Sequence, residues 1–454
     1  MTGPAAQMPD VPRPDLVGIV HLGLGAFHRA HQAVFTDDAM LATGDRSWGI
    51  CGVTQRSDDV LRRLAPRDNR YTLLERGPGA APPRVVGSIL DVLPGHRDPA
   101  AVVAAIARPS VRIVTLTVTE KGYRHDPATG ELDLADPEIR ADLAGRPPRT
   151  VVGQLAAGIA ARGAAPLTVV CCDNLPDNGR FLRGLVERFT GADAPATVRF
   201  PATMVDRIVP AATDADRAEA HDDAVVVAEP FRQWVIEDDF ATDRPAWDLV
   251  GAEFTADVAP WERLKLRVLN ASHSLLAYLG LLGGHELIAD AVADPLLRAA
   301  CHALVDEDVR PVLTPPSGVD TAGYGREVLR RFANPALRHT TRQVASDGSQ
   351  KLGPRLLATA ADSLAAGRTP RWVALATAAW LHHVTDPRDA VRHPIDLVDP
   401  LADTLRATAD PLGVVLPADL AGHGGFRAEV GTAFRRLAEH DPATVIKEMF
   451  RAGG

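Results

Sequence analysis

Lys265, Asn270 and His273 lie in LKLRVLNASHSLLAYLG, a leucine-rich run from Leu264 to Gly280 that reads as a helix. At about 100° per residue the three fall within about 140° of arc, and Glu262, one turn upstream, falls in the same arc. Leu264, Leu266, Val268, Leu269, Leu275, Leu276 and Leu279 are spread around the helix, so it should be packed on most sides. Polar groups in such a place need partners or a ligand. A lysine, an amide and an imidazole converging from one rigid face form a donor set suited to catalysis. The alternative is a lysine whose stem lies along apolar surface while its ammonium reaches water, with Asn270 and His273 satisfying nearby backbone. Ser272 and Ser274 flank His273, but sequence neighbours on a helix do not face one another, which argues against a serine nucleophile.

Two other stretches have residue types that chemistry could use. GIVHLGLGAFHRAHQ reads as a strand, a turn with Gly23 and Gly25, and a helix, a geometry that lets backbone approach a pyrophosphate. The third position of the usual glycine pattern is His28, so a plain turn competes with phosphate binding. His28 and His31 are spaced as metal ligands could be, but no third ligand stands at a recognisable spacing, and no metal site is expected. LTVTEKGY and LTVVCCDNLPDNG place polar residues just after strands, where ligands of open α/β sheets sit. Asn174 is the candidate there, with a turn role as the alternative; Asn178 reads as a helix cap.

The elements that must position these residues follow an α/β pattern from Leu16 to about Val227. LVGIVHLG, WGICGVT, VRIVTLTVT and LTVVCCDN read as strands, and AFHRAHQAVFTDDAML, PAAVVAAIA, TVVGQLAAGIAARG and NGRFLRGLVERF as helices. From about Trp261 helical periods such as PRLLATAADSLAAG and RWVALATAAWLHHV take over. The expectation is a Rossmann-like α/β dinucleotide-binding domain over residues 1–256 and a mostly α-helical domain over 257–454. EPFRQWVIEDDFATDRPAWDLVGAEFTADVAP reads as an extended segment crossing the interface between them. With 454 residues, 46% hydrophobic, 24% charged and a net charge of −9, the chain has a globular composition and no basic footprint for nucleic acid. Cys51, Cys171, Cys172 and Cys301 lack CxxC spacing and are expected as reduced thiols. With no signal pattern in MTGPAAQMPDVPRPD and no membrane-length apolar run, the expected address is cytoplasmic.

The sequence resembles the long-chain polyol-specific dehydrogenases, the family of mannitol 2-dehydrogenase, fructuronate reductase and tagaturonate reductase. The likeness is carried by HLGLGAFHRAHQ, LTVTEKGY, CDNLPDNG, MVDRIVP, EPFRQWVIEDDF, LKLRVLNASHSLLAYLG and RFANPALRHTTRQVASDGSQK, in the family's order. It implies zinc-independent hydride transfer between a nicotinamide cofactor and a secondary alcohol or ketone. Lys265 would be the general acid/base, Asn270 and Asn174 donors to the reacting oxygen, His273 an orienter of a substrate hydroxyl, and Glu262 a relay between lysine and water. Asp206 of MVDRI would lie at the substrate and cofactor site, and the cofactor would be bound through Gly23, Gly25, Ala26, Phe27, His28 and Arg29. The polar face of the 264–280 helix would then look into the cleft between the domains.

EPFRQWVIEDDF, and DGSQK followed by RLL, look more like the fructuronate reductase branch, which implies reduction of D-fructuronate to D-mannonate; the alternative is a mannitol-type polyol dehydrogenase. A carboxylate substrate needs a cation, and Lys351 and Arg342 are the candidates. Where the uronate branch tends to read HRTWQ this chain reads HTTRQ, with Thr340 in place of an arginine. WGICGVT ends without an acid to accept ribose hydroxyls, offering Gln55, Arg56 and Ser57 instead, and Arg56 could accommodate a 2′-phosphate. The family favours NAD(H), with NADP(H) as the alternative. Monomer and homodimer both fit, and a non-catalytic dinucleotide-binding regulator is disfavoured by the joint presence of Lys265, Asn174, Asn270 and His273.

Overall fold

A computed structural model describes residues 13–126, 129–385 and 397–453. The chain divides into two compact units, the first ending at Ala259 and the second beginning at Pro260.

The first unit is built on a six-stranded sheet of β1 (Val17–Leu22), β2 (Gly49–Thr54), β3 (Ile89–Pro94), β4 (Ile113–Leu116), β5 (Leu167–Cys171) and β6 (Val198–Arg199). All neighbours are parallel and the spatial order is β3-β2-β1-β4-β5-β6. That is the order of dinucleotide-binding open sheets, and the direction of winding reverses between β1 and β4. Every residue of β1, β2, β4 and β5 is buried, as both faces of a parallel sheet must be. Val20, Leu22, Val114 and Val169 point to a core that includes Ile106 and Leu155, while Ile19, Ile50, Ile113 and Val170 point to the other face with Phe35, Trp234 and Trp247. Asp98 and Thr150 cap the helices Pro99–Ile106 and Val151–Arg162 on the first of these faces.

Several elements differ from the sequence reading; β6 and a small sheet of Tyr71–Glu75, Arg84–Val86 and Val226–Ala228 were not anticipated. The first helix stops at Ala30 and restarts at Gln32, because His31 leaves helical geometry (φ −126°, ψ −90°) and gives its Nε2 to the carbonyl of Gln233 at 2.8 Å. β3 was not anticipated, since glycine and proline obscure its alternation. The segment from Glu229 to Ala259 does not cross an interface as an extended strap. It is folded into the first unit, where Gln233–Glu237 pairs antiparallel with Thr203–Asp206 and parallel with Glu253–Thr255, and Trp234 and Trp247 are fully buried.

The second unit is helical; among the described residues its only β pairing is the Leu287–Thr340 bridge. All twelve residues of helix Ala271–Leu282 are buried. The helix expected from Leu264 to Gly280 is not α-helical throughout: Lys265–Asn270 is a π-helical turn, with the N–H of Ala271 bonded to the carbonyl of Leu266. Residues five apart close one turn of a π-helix, so Lys265 and Asn270, about 140° apart in an α-helix, are brought onto one side. This turn packs against two other π-helical turns, Leu304–Val309 and Gly353–Leu357. No helix among the described residues is long and apolar enough to cross a membrane.

Candidate active site

β1 runs into a turn whose two glycines serve different needs. Gly23 has φ +97°, and a Cβ there would stand 2.3 Å from the carbonyl oxygen of Thr117, so the turn at the end of β1 can close only with glycine. The N–H groups of Gly23 and Leu24 both reach the carbonyl of Val53 at the end of β2. A Cβ on Gly25 would meet nothing nearer than 3.7 Å. Both glycines border a cleft of about 480 Å³, together with Gln55, Arg56, Thr117 and Thr119. It lies at the carboxyl ends of β1, β2 and β4, the place where an open sheet takes its ligand. No acid follows β2 directly; Asp58 is engaged by Arg97 at 2.8 Å and His96 at 3.4 Å.

The side chains of His28 and Arg29, expected at the cofactor, do not line this cleft. His28 is fully buried and stacked on His21, with ring centroids 3.4 Å apart. His21 in turn bonds the hydroxyls of Thr115 and Thr117 at 2.8 and 3.0 Å. Burial pushes His21 down to about 3, and burial together with its cationic and imidazole neighbours pushes His28 well below the ordinary histidine value. Arg29, 7% exposed, turns inward to the carbonyls of Ala224 and Gly25. Both hold the turn from behind. Ala26 and Phe27 open the short helix Ala26–Ala30, and Phe27 stacks on His31. No group of three or more His, Cys, Asp or Glu among the described residues could hold a metal.

At the end of β5, Asp173 accepts the N–H groups of Val118 and Thr119, both at 2.9 Å, and the hydroxyl of Tyr123 at 2.6 Å. Asn174 follows it, exposed. Asn178 is the first residue of its helix and not the cap, which is Asp177. Its amide ties the carbonyls of Asp173 and Thr203 together and accepts from the N–H of Thr203. Asp206 ends the strand Thr203–Asp206 and is 6% exposed.

In the second unit Lys265, Asn270 and His273 are 8%, 6% and 8% exposed, and Glu262 is half-buried on the helix Ala259–Leu264. Asn270 Nδ2 and His273 Nε2 have no hydrogen-bond partner among the described residues. The His273 ring stacks on Phe332 at 4.4 Å and meets His339 edge-on at 4.9 Å. Burial, then His339, Arg355, Lys351 and Arg331, push its pKa well below the ordinary value, so the ring is neutral.

Of the two cations expected for a carboxylate, Arg342 is exposed on the helix Thr341–Ala345 and makes no ion pair among the described residues. Lys351 donates to the carbonyls of Val344, at 3.2 Å, and Ser346. Thr340, where an arginine was missed, caps Thr341–Ala345 in a reciprocal bond with Gln343. Sequence reading overlooked Arg355, whose Nη1 donates to Ser274 Oγ at 3.1 Å; the only signal was its place in RLL after DGSQK. It also gave Asp173 no part in the site.

Residues 17–249 match the family described as the mannitol dehydrogenase Rossmann domain, and residues 257–414 the mannitol dehydrogenase C-terminal domain. The chain is 42% identical to D-mannonate oxidoreductase of Escherichia coli (strain K12), covering 93% of each chain. It is 39% identical to mannitol 2-dehydrogenase of Cereibacter sphaeroides, covering 82% of each. The structure of Pseudomonas fluorescens mannitol 2-dehydrogenase in ternary complex with NAD and D-mannitol superimposes with a TM-score of 0.86 at 36% identity, over 99% of this chain and 96% of that one. With both halves matched and relatives spanning nearly the whole length, the chain belongs to the mannitol dehydrogenase family, oxidoreductases that act on secondary-alcohol CH–OH groups with NAD.

Proposed function

We propose that the protein uses NAD(H) to interconvert a ketose-type sugar acid and its alcohol, D-fructuronate and D-mannonate being the pair favoured. The observation that carries the chemistry is the buried Lys265 set beside Asn270 by the π-helical turn. The sugar-acid reading is supported by the 42% identity to D-mannonate oxidoreductase and by the arginines and lysine around His273.

The first unit fits a dinucleotide: Gly23 closes the turn, Gly25 leaves its cleft side open, and Arg56 lies on the cleft where β2 ends. The nicotinamide, when bound, supplies or takes the hydride at the reacting carbon. Lys265, 8% exposed, passes a proton to or from the reacting oxygen. Asn270 keeps an Nδ2 donor for the negative charge that builds on that oxygen, and Asn174 is assigned the same task. Glu262 relays the proton to water, Asp206 contacts substrate and cofactor, and neutral His273 orients a hydroxyl. The four cysteines, all free and buried, fit a reducing cytoplasmic address.

The second reading, a mannitol 2-dehydrogenase acting on D-mannitol and D-fructose, is favoured by the likeness to the Pseudomonas fluorescens complex. Initial rates with D-fructuronate, D-fructose, D-mannonate and D-mannitol, each with NAD(H) and NADP(H), decide between them. A larger kcat/KM for fructuronate is expected; equal or better turnover of fructose would overturn the substrate assignment and leave the dehydrogenase chemistry standing.

A further inference from the structure

A sheet that selects NAD over NADP carries an acid just past its second strand, which accepts the adenosine ribose hydroxyls and repels a phosphate placed there. In this chain the residue after β2 is Gln55, a neutral amide whose Nε2 is fixed on Oε1 of the buried Gln154 at 2.9 Å. The two acids that come next are held by other partners. Asp58 is paired with Arg97 at 2.8 Å and His96 at 3.4 Å, and Asp59 with Arg62 and the hydroxyl of Ser57. Neither borders the cleft.

The charged groups that do border it are mostly cations. Arg56 stands two residues beyond β2, exposed, and its side chain makes no hydrogen bond or ion pair among the described residues. The side chains of Lys121, in the turn after β4, and Arg149, just before the helix Val151–Arg162, are likewise exposed on the cleft and in no ion pair among the described residues. Glu138, the one carboxylate among the described residues on this cleft, is paired with Arg124. The pyrophosphate of a dinucleotide lies against the glycine turn, whereas the 2′ position of its adenosine ribose lies off the end of β2, where Arg56 stands.

Resting on the assignment of this cleft to the dinucleotide, we propose that the protein accepts NADP(H) as well as NAD(H), with Arg56 binding the 2′-phosphate. A guanidinium meets a phosphate by paired hydrogen bonds, and Gln55 brings no negative charge to oppose it.

The test is a fluorescence titration with NADH and with NADPH of the parent, R56Q, Q55D and G25V, after a thermal melt of each. The parent should bind NADPH within about tenfold of NADH. R56Q should raise the ratio of the NADPH to the NADH dissociation constant by about ten- to a hundredfold. Q55D, which places an acid at the end of β2, should raise that ratio too. Arg56 is exposed and R56Q should fold, so it decides alone if Q55D does not. A parent that binds NADH and not NADPH, or a folded R56Q or Q55D at the parental ratio, overturns the proposal and leaves NAD(H) in the cleft. A G25V protein that binds both coenzymes as the parent does overturns the cleft assignment, and the proposal with it.

Discussion

Asp173 holds Thr119 in a backbone conformation that a threonine rarely takes: φ +68°, ψ 159°, with its N–H 2.9 Å from the Asp173 carboxylate. A β-branched residue there is strained by roughly 1–3 kcal/mol and persists only where surrounding contacts determine it. Thr119 borders the dinucleotide cleft and Asn174 follows Asp173, so one carboxylate ties the loop after β4 to the loop after β5. Asp173→Ala would strand the part-buried N–H of Val118 and the buried hydroxyl of Tyr123, at about 1–3 kcal/mol each, while the exposed N–H of Thr119 can turn to water. It should lower stability by about 3 kcal/mol or more and weaken NADH binding, whereas Tyr123→Phe should cost about 1 kcal/mol. Urea denaturation and NADH fluorescence titration measure both; an Asp173→Ala protein with parental stability would show the clasp to be idle.

The two glycines of the first turn should respond oppositely. Gly23→Ala meets a backbone oxygen at 2.3 Å and a left-handed φ, so it should cost several kcal/mol and lower expression. Gly25 has φ −122°, open to any residue, so Gly25→Val should fold with a parental melting temperature. It should bind NADH at least about tenfold more weakly, because the side chain enters the space the pyrophosphate needs. Parental NADH affinity in Gly25→Val would mean that this turn does not carry the cofactor.

Lys265→Ala should lower kcat by about a hundredfold to ten-thousandfold, the range of a lost general acid/base, with NADH affinity unchanged. Turnover close to the parent's would remove Lys265 from proton transfer.

Buried histidines and buried carboxylates act on acid stability with opposite signs. Burial lowers His21 and His31 to about 3 from 6.5, so the unfolded chain takes up their protons first and stability is lost as pH falls from about 6.5 toward 3. Burial raises Asp37 to about 6 and Asp308 to about 7 from 3.8, so their contribution is complete below 3.8 and is lost as pH rises through 6 to 7. His28 and His273, also pushed down, tip the sum toward loss on acidification. Between pH 6 and 4.5, His21→Gln should flatten the decline and Asp308→Asn should steepen it, each by about 1.4 kcal/mol per pH unit. Urea midpoints across that range give the slopes, and unchanged slopes in both variants would contradict these protonation states.

Dialysis against EDTA should leave activity intact, since Lys265 is assigned the work on the reacting oxygen. Activity lost on chelation and restored by zinc would contradict that assignment.

Four strands of the main sheet, with their following polar residues, were legible because parallel strands buried on both faces read as continuous apolar runs such as GIVHL and LTVVC. β3 and β6 were not, because ILDVLP ends in a proline and lies between Gly87 and Gly95, which resembles a loop, and Val198–Arg199 is too short to show a pattern. Lys265, Asn270 and His273, read from spacing as one face, are all buried, although an α-helical period misjudged the angle between the first two. The π-helical turn has no composition of its own, and the packing of three such turns decides it. Arg355 and Asp173 escaped because each acts through a partner distant in sequence, Ser274 and Thr119 respectively. Thr340, read as a lost arginine, is explained by a helix cap that pairs it with Gln343.

The wide turn between Lys265 and Asn270 also makes this a stretch in which residue count can change as well as residue identity. Loss of a single codon among those for Leu266 to Leu269 would leave the hydrophobic character almost unchanged and let the helix relax to its ordinary pitch. Lys265 and Asn270 would then stand four residues apart, about 40° of arc, so the ammonium and the amide would stay on one side while everything from Ala271 onward kept its own packing. A one-residue deletion here should be tolerated more readily than one within the helix Ala271–Leu282, an asymmetry that a codon-deletion scan of the gene would reveal.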